Sequence, residues 1–427
     1  MPTWDSAEAD ALWTKVCGAD RWRKDGPLSD CVRRLTNDEL WQMRTEARKA
    51  MLIQVRDRYA RQLSAEGDSD LNVADIFRED ALTVGFARRF ATYKRPDLLL
   101  HDPDRLIRLL TDSPRPVQLI LAGKAHPEDL PGQALIKQWN DFIERPEVRG
   151  HVVFLSDYDM QMAQEMVKGM DLWINTPRRP WEACGTSGMK VLANGGLNIS
   201  ELDGWWAEAY TPKVGWAIGD GKEHGEDAAW DAHEVESLYA LLEQQVVPEF
   251  YDRDVLGMPS RWLARVRESM ATLTPEFSAS RAIREYTNDH YLPAAAGYNK
   301  RTANDGKLGV DVLQWQRSIA EQWNTLILGK VTAETKDGQH QFHISVIPGG
   351  LHPDQFRVEL YAGPTAESGA KPEIQAASKS SADSSGTIIY SVCCLAKRPL
   401  ADYTARLVPS HAEASVPLEA GQILWQQ

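Results

Sequence analysis

The fold is decided by residues 151–177, which read HVVFLSDYDMQMAQEMVKGMDLWINTP. Two short apolar runs, HVVFLSD and DLWINTP, flank the segment MQMAQEMVKGM, whose apolar residues recur at helical spacing. A strand, a helix and a second strand in this order predict two parallel strands joined by a crossover helix.

The same alternation extends towards the N-terminus. The strand-like runs LTVGF and PVQLILAG occupy residues 82–86 and 116–123, and helices are predicted for PDLLLHDPDRLIRLL (96–110) and QALIKQWNDFIE (133–144). Four apolar runs separated by helices predict an α/β fold with a doubly wound parallel sheet. In such a sheet, ligands bind beyond the carboxyl ends of the strands.

The sequence predicts four regions. Residues 1–80 form a helical lead-in without a sheet of its own, and residues 81–310 form the Rossmann-like domain. A linking helix over residues 311–326 precedes an all-β module of the sandwich kind at residues 327–427. Within this module, the Ser- and Ala-rich segment 366–386 is predicted to be a long exposed loop.

Composition excludes several classes of function. The 427 residues carry a formal net charge of -13, which argues against nucleic acid as a partner. The N-terminus is polar and no long apolar run follows, so we expect neither a signal peptide nor a membrane span. The five cysteines have no metal-binding spacing and no even disulfide framework, which predicts a metal-free protein in a reducing, cytoplasmic compartment. They are Cys17, Cys31, Cys184, Cys393 and Cys394.

Two predicted loops combine at the ligand edge of the sheet. ARRFATYKRP (87–96) follows the first strand and concentrates positive charge, and RRPWEACGTSGMK (178–190) turns through glycines into a short predicted helix that contains Lys190. Free backbone N–H groups and nearby cations suit an anion such as phosphate. The lysine would either neutralise that anion or form an imine with an aldehyde. The alternatives are a solvated basic loop and a simple tight turn.

Other residues near the glycine turn have two interpretations. Glu182 would accept hydrogen bonds from sugar hydroxyls or cap the helix that follows it. Trp181, Trp205 and Trp206 would offer flat faces to a sugar ring or belong to the core, and a total of fifteen tryptophans favours the core for most of them. These features together support a nucleotide-sugar transferase or an enzyme with a phosphate-bearing aldehyde cofactor.

Two segments carry a resemblance to the α-glucan phosphorylases, the family that acts on glycogen, starch and maltodextrin. EACGTSGMKVLANGGLNISELDG (182–204) resembles the family's pyridoxal-phosphate segment, and GFARRFATYKRPDLL (85–99) resembles its phosphate-binding segment. The motifs DYDM, PRRPW and LDGWWAEAYTP are closer to the bacterial short-form branch, and the similarity extends along nearly the whole chain. The family has the GT-B fold, in which the active site lies between two Rossmann-like domains, and this chain resembles only the C-terminal half.

The resemblance implies a cofactor site. Lys190 matches the lysine that holds pyridoxal 5′-phosphate covalently, as a Schiff base. Thr186 and Ser187 match the turn that holds the cofactor's phosphate, and Tyr158 matches a tyrosine beside the cofactor.

The resemblance also implies a substrate site. Lys94 matches a lysine between the cofactor phosphate and the substrate phosphate, and Arg89 matches the arginine that binds substrate phosphate, so these two are the expected catalytic residues. Glu182, Cys184 and Gly185 match positions that contact the hydroxyls of the glucosyl unit.

Two residues depart from the family pattern. Cys184 stands where serine is usual, so a thiol would replace one hydroxyl contact to the sugar. Asp159 stands where the better-known members have an arginine on the cofactor phosphate, and an aspartate would repel that phosphate. We therefore expect Arg178 or Arg179 to supply the missing charge.

The reaction implied by the resemblance is phosphorolysis of α-1,4-glucan to α-glucose 1-phosphate with retention of configuration. The cofactor's phosphate, and not its ring, would act as the proton shuttle. Met1 resembles a point in mid-sequence of the family, so we expect a split gene, a truncated gene or a fragment. A separate N-terminal half is the expected partner, and the chain alone is expected to show little phosphorolysis. A GT-B nucleotide-sugar transferase like glycogen synthase and a non-catalytic glucan-binding subunit are the alternatives.

Overall fold

The structure is a computed structural model that describes residues 2–23, 28–67, 72–73, 76–112, 114–364, 372–382, 384 and 386–427. The chain forms two compact units, Met1–Arg284 and Glu285–Gln427. The helix predicted over residues 311–326 therefore belongs to the second unit. The division into four regions stays a prediction.

A parallel sheet lies at the centre of the first unit. Among its described residues, six strands are arranged in the order β3-β2-β1-β4-β5-β6. The strands are β1 (Leu82–Ala87), β2 (Val117–Ala122), β3 (Val152–Leu155), β4 (Leu172–Asn175), β5 (Leu197–Glu201) and β6 (Gly215–Ile218). All neighbouring pairs are parallel, which confirms the predicted Rossmann-like α/β class.

Helices precede, connect and follow these strands. The helices are α1 (Ala7–Cys17), α2 (Leu28–Arg33), α3 (Asn37–Glu66), α4 (Pro103–Thr111), α5 (Leu130–Ile143), α6 (Met160–Gly169), α7 (Thr186–Leu192), α8 (Gly204–Ala209), α9 (Ala228–Leu241), α10 (Val247–Tyr251), α11 (Ser260–Glu276), α12 (Ala279–Glu285) and α13 (Leu292–Gln322). Helix α13 is interrupted at residues 303–306, where the backbone leaves the helical conformation.

Both faces of the sheet are covered because successive residues of each strand point to opposite faces. Val84 and Leu119 pack into one apolar cluster with residues of α4, α5 and α9. Ile120 and Val153 pack into another, with Met51 of α3 and residues of α6. The predicted lead-in helices thus contribute directly to the core of the sheet domain.

A buried ion cluster attaches α3 to the sheet. Asp171 lies just before β4, and its Oδ1 accepts hydrogen bonds from Arg48 Nη1 at 2.8 Å and Arg44 Nη2 at 3.2 Å. Its Oδ2 accepts from the backbone N–H of Thr83 in β1 at 3.0 Å. The side chains of all three charged residues are at most 1% exposed. The cluster therefore joins α3, β1 and β4 in a region without bulk water.

Three elements differ from the sequence prediction. Strands β5 and β6 were not among the four predicted, because both are short and β5 includes the polar residues Asn198 and Ser200. These polar groups are satisfied internally: Asn198 Nδ2 donates to the Gly188 carbonyl at 3.1 Å, and Ser200 Oγ accepts from Asn175 Nδ2 at 3.1 Å. An apolar-run rule cannot detect a strand of this kind.

The single helix predicted over residues 96–110 is also wrong. The chain forms a 3₁₀ turn at Leu98–His101, and α4 begins at Pro103, where the Asp102 side chain accepts from the Arg105 N–H at 3.0 Å. Proline is favoured at the first helical position and disfavours a helical residue before it.

The second unit contains a β-sandwich. Its strands are β7 (Ile327–Lys336), β8 (Gln339–Ile347), β9 (Phe356–Ala362), β10 (Glu373–Ala376), β11 (Ser378–Ala382), β12 (Ile388–Leu395), β13 (Tyr403–Pro409) and β14 (Leu424–Trp425). They form two antiparallel sheets, β10-β9-β13-β14 and β11-β12-β8-β7, whose inner residues share one apolar cluster with the C-terminal part of α13.

The long exposed loop predicted at residues 366–386 is corrected in part. Residues 366–371, 383 and 385 lie outside the described residues, but β10 and β11 occupy most of the remainder. Strand β11 is exposed along its whole length, so polar Ser-rich composition did not exclude backbone pairing with β12.

We expect Asp171→Asn to lower the free energy of unfolding by about 3–5 kcal/mol, because it leaves two buried arginines without their shared countercharge. Urea denaturation followed by tryptophan fluorescence measures the change. Asp80→Asn is the matched control, because Asp80 forms an exposed ion pair with Arg78 at 2.7 Å. This substitution should lower the free energy of unfolding by less than about 1 kcal/mol. Equal losses in both variants would contradict the structural role of the buried cluster.

Candidate active site

The site lies where the strand order reverses direction. From β1 the chain proceeds outward through β2 to β3, and from β4 it proceeds the other way through β5 to β6. Because β1 and β4 are neighbours, the loops that follow them diverge and leave a crevice at the carboxyl edge of the sheet. These are the two loops that the sequence predicted to bind an anion.

Glu182 connects the two loops. Its Oε2 accepts hydrogen bonds from Lys94 Nζ at 2.9 Å and from Arg88 Nη2 at 2.5 Å. Arg88 also donates to the side-chain oxygen of Asn175, the last residue of β4. The Glu182 backbone N–H donates to Asp203 Oδ2 at 2.8 Å, which fixes the position of the carboxylate. Lys94 and Glu182 are both buried.

The site carries an excess of positive charge. Two cations, Lys94 and Arg88, share the single carboxylate of Glu182, and the adjacent Arg89 is exposed. Burial favours the neutral acid, but the charge of Arg88 and the hydrogen bond from Lys94 lower the pKa of Glu182 below its ordinary value. Glu182 is therefore ionised at neutral pH, and the surplus cations are available to an anion.

Arg95 fixes the backbone that carries Lys94. Its Nε donates to the Thr176 carbonyl at 3.1 Å and its Nη2 to the Pro177 carbonyl at 3.0 Å, so it joins the loop after β1 to the loop after β4. Thr176 Oγ1 in turn donates to the Lys94 carbonyl at 3.1 Å. Arg95 itself has a φ of 41°, in the left-handed region, and ends the 3₁₀ turn Thr92–Lys94.

A carboxylate cluster surrounds Arg95 on its other side. Asp231 lies 2.9 Å from Arg95 Nη1, Glu201 lies 3.4 Å from Nη2, and Glu234 is in contact with Nη1. Asp231 also pairs with Arg178 at 2.7 Å. Burial and, after it, the neighbouring carboxylate of Glu234 raise the pKa of Glu201 to about 9. A protonated Glu201 leaves two cations and two anions in the cluster, which balances its charge.

Lys190 lies in a partly apolar environment. It belongs to α7, is half-buried, and its Nζ lies 4.0 Å from the centroid of the Trp4 ring. Trp4 and Tyr158 pack against the same apolar cluster. Burial lowers the pKa of Lys190, which increases the fraction of neutral amine at a given pH. A neutral amine is the form that reacts with an aldehyde.

The other predicted cofactor and sugar residues lie at the start of α7. Gly185 is the N-cap with a φ of 86°, a conformation that favours glycine. Thr186 is exposed, and Ser187 Oγ accepts a hydrogen bond from Trp173 Nε1 at 3.2 Å. Cys184 is half-buried, and burial followed by the charge of Glu182 raises the pKa of its thiol. It is therefore a neutral group beside Glu182.

The residues present fit pyridoxal phosphate. A half-buried lysine with a lowered pKa faces an indole ring, and the hydroxyls of Thr186 and Ser187 lie on the first turn of the same helix. The lysine amine suits the cofactor's aldehyde, the indole suits its aromatic ring, and the two hydroxyls suit its phosphate.

Arg178 and Arg179, one of which was expected to supply positive charge to the cofactor phosphate, bind other groups in this structure. Arg178 pairs with Asp231 and donates to the Gly225 carbonyl at 2.7 Å, and Arg179 donates to the Leu202 carbonyl. Asp159 caps α6 by accepting from the Met162 N–H at 2.8 Å. The cation at Asp159 is Arg58 of α3, at 3.9 Å.

Sequence reasoning missed several residues of the site. Arg88 contacts Glu182 but was not assigned a role of its own, whereas the neighbouring Arg89, which is exposed, was assigned to substrate phosphate. Asp231 and Glu234 lie on α9, outside both quoted motifs, and have no local signal; Glu201 lies within the segment 182–204 but was not singled out there. Trp205 and Trp206 are buried, as the core interpretation expects.

Two kinds of feature are absent from the described part of the chain. No three His, Cys, Asp or Glu side chains there are arranged to hold a metal ion. None of the helices described there combines the length and apolarity needed to cross a membrane.

Comparison with known proteins identifies relatives of this chain. Residues 7–215 match the family model for carbohydrate phosphorylases, so this part of the chain belongs to that family. It is 35% identical to the glycogen phosphorylase of Mycobacterium tuberculosis over 434 residues, covering 99% of this chain and 50% of that protein. It is 39% identical to the glycogen phosphorylase of Aquifex aeolicus over 68% of this chain and 42% of that protein. It is also 34% identical to the maltodextrin phosphorylase of Thermococcus litoralis over 86% of this chain and 43% of that protein.

The chain spans about half the length of these curated relatives. The resemblance seen in the two sequence motifs is thereby confirmed at the level of the family.

We expect the stability of the protein to fall as pH rises from about 5 to about 9, in part because folded Glu201 keeps its proton up to about pH 9 while the unfolded chain releases it near its ordinary pKa. Glu201→Gln removes this contribution, so its melting temperature should decline less over that range. Thermal unfolding at several pH values measures the difference. The control is Glu208→Gln, an exposed carboxylate on α8, which should keep the wild-type slope. Parallel slopes for wild type and Glu201→Gln would contradict a protonated Glu201.

Proposed function

We propose that this chain is the cofactor- and phosphate-binding half of an α-glucan phosphorylase. The reaction is glucosyl transfer from the non-reducing end of an α-1,4-glucan to inorganic phosphate, giving α-glucose 1-phosphate with retention of configuration. The observation that carries the proposal is the contact of Lys94 with Glu182 across the β1–β4 crevice, where a cation and a hydroxyl-binding carboxylate meet on one rim.

The residues divide into an anion-binding group and a sugar-binding group. Lys94 and Arg89 bind and neutralise phosphate, and Arg88 adds a further positive charge beside Glu182. Concentrated positive charge lowers the repulsion between two phosphates in a buried site and stabilises charge that develops during glucosyl transfer.

Glu182 accepts hydrogen bonds from sugar hydroxyls. When a substrate phosphate attracts Lys94 and Arg88, the carboxylate keeps unused lone pairs for these hydroxyls. Gly185 and Cys184 line the same turn, where the left-handed glycine lets the backbone approach the sugar closely.

Pyridoxal 5′-phosphate is the proposed cofactor, covalently attached to Lys190 and held by Thr186, Ser187 and Tyr158. When bound, it would supply a phosphate group capable of exchanging a proton with inorganic phosphate. The chain's own contribution is a half-buried amine of lowered pKa and an aromatic wall at Trp4, which limits access of water to that amine. A cytoplasmic location and a glycogen-degrading role belong to the same proposal.

We expect pyridoxal phosphate followed by borohydride to label the full chain at Lys190. Peptide mapping by mass spectrometry locates the label. Lys190→Ala should lose it, whereas Lys124→Ala, which removes an exposed lysine after β2, should keep it. Absence of label at Lys190, together with glucosyl transfer from UDP-glucose, would instead support a nucleotide-sugar transferase.

We expect Glu182→Gln to bind inorganic phosphate roughly threefold more tightly than wild type, because the ligand no longer competes with a carboxylate for Lys94 and Arg88. In the same variant, the ratio of the affinity for glucose 1-phosphate to the affinity for phosphate should be lower than in wild type. The reason is that an amide accepts fewer hydroxyl hydrogen bonds than a carboxylate. Isothermal titration with both ligands measures the two effects. Glu128→Gln, an exposed change after β2, is the control and should alter neither affinity. Unchanged phosphate affinity in Glu182→Gln would contradict the anion site.

A further inference from the structure

Trp181 is unusually exposed for its residue type. All fifteen tryptophans lie within the described residues, and Trp181 has the largest exposed fraction among them, 51%. Six of the others are fully buried. Contact with a ligand would remove apolar area of this ring from water, which is favourable.

The position of Trp181 places its ring at the rim of the candidate active site. It directly precedes Glu182, and its backbone N–H donates to the Arg178 carbonyl at 2.9 Å, which fixes the loop after β4. Its ring centroid lies 6.1 Å from that of Tyr93, in the loop after β1. The Tyr93 ring in turn lies 4.9 Å from Lys94 Nζ. The indole is therefore connected through one ring to the Lys94–Glu182 pair.

We propose that Trp181 stacks on a glucosyl ring of the glucan and sets affinity for the saccharide chain. This inference rests on the proposed function. A pyranose presents an apolar C–H face and a rim of hydroxyls. Trp181 offers an exposed indole for that face, and the next residue, Glu182, is a buried carboxylate paired with Lys94 in the crevice that the indole borders.

Titration of the full chain with maltoheptaose, in the presence of pyridoxal phosphate, tests the assignment. We expect Trp181→Ala to weaken binding about fivefold to tenfold, and Trp181→Phe to recover most of that loss because a smaller aromatic face remains. Trp22→Ala is the matched control, because Trp22 is also partly exposed, at 38%, in the same unit but outside the two site loops. It should leave maltoheptaose affinity unchanged.

Borohydride labelling of Lys190 in the same variants separates this inference from the proposed function. Normal labelling with a specific loss of maltoheptaose affinity in Trp181→Ala supports both. Normal labelling with equal affinity in wild type and Trp181→Ala, or with no measurable binding by wild type, overturns the role of Trp181 and leaves the proposed function standing. Loss of labelling in wild type would overturn the proposed function itself.

Discussion

The structure of the first unit depends on a buried carboxylate at the start of one central strand. Asp171 binds Arg44 and Arg48 of α3 through one oxygen and the Thr83 N–H of β1 through the other. Its backbone exchanges hydrogen bonds with both neighbouring strands, from Asp171 N to the Thr83 carbonyl at 3.0 Å and from Leu197 N to the Asp171 carbonyl at 2.9 Å. Because a buried ion is costly unless it is fully paired, this arrangement fixes the register of β1, β4 and α3 together.

A fixed register at one end of β1 and β4 defines the geometry at the other end. The two strands are only six and four residues long, so a shift in their pairing would displace the loops that follow them by a full residue spacing. The contact of Lys94 with Glu182 needs those loops to meet within hydrogen-bond distance. Arg95 provides a second constraint there by binding the carbonyls of Thr176 and Pro177. The chemistry of the crevice thus depends on ion pairs at both ends of the same strands.

The sequence predicted the parallel sheet, the β-sandwich and the two loops of the candidate site, because apolar runs, helical spacing and glycine turns are local signals. It did not predict β5, whose buried polar residues are satisfied by partners such as Gly188 and Asn175. It also did not predict the carboxylates around Arg95, because Asp231 and Glu234 reach it from a helix about 136 and 139 residues further along the chain. Pairing of distant charges depends on tertiary structure, which spacing alone does not encode.

The two charge clusters at the carboxyl edge differ in net charge, and this difference explains their separate roles. Around Arg95, a protonated Glu201 leaves cations and anions equal, so the cluster has no net charge to offer a ligand and acts as a rigid support. Around Glu182, the cations Lys94, Arg88 and Arg89 outnumber the carboxylates of Glu182 and Asp203, so positive charge is in excess. Arg95 and Lys94 are adjacent in sequence, and the left-handed backbone at Arg95 directs these two side chains to different clusters. A single turn therefore places Lys94 in a site that attracts anions and Arg95 in a cluster that has no net charge and supports the loops.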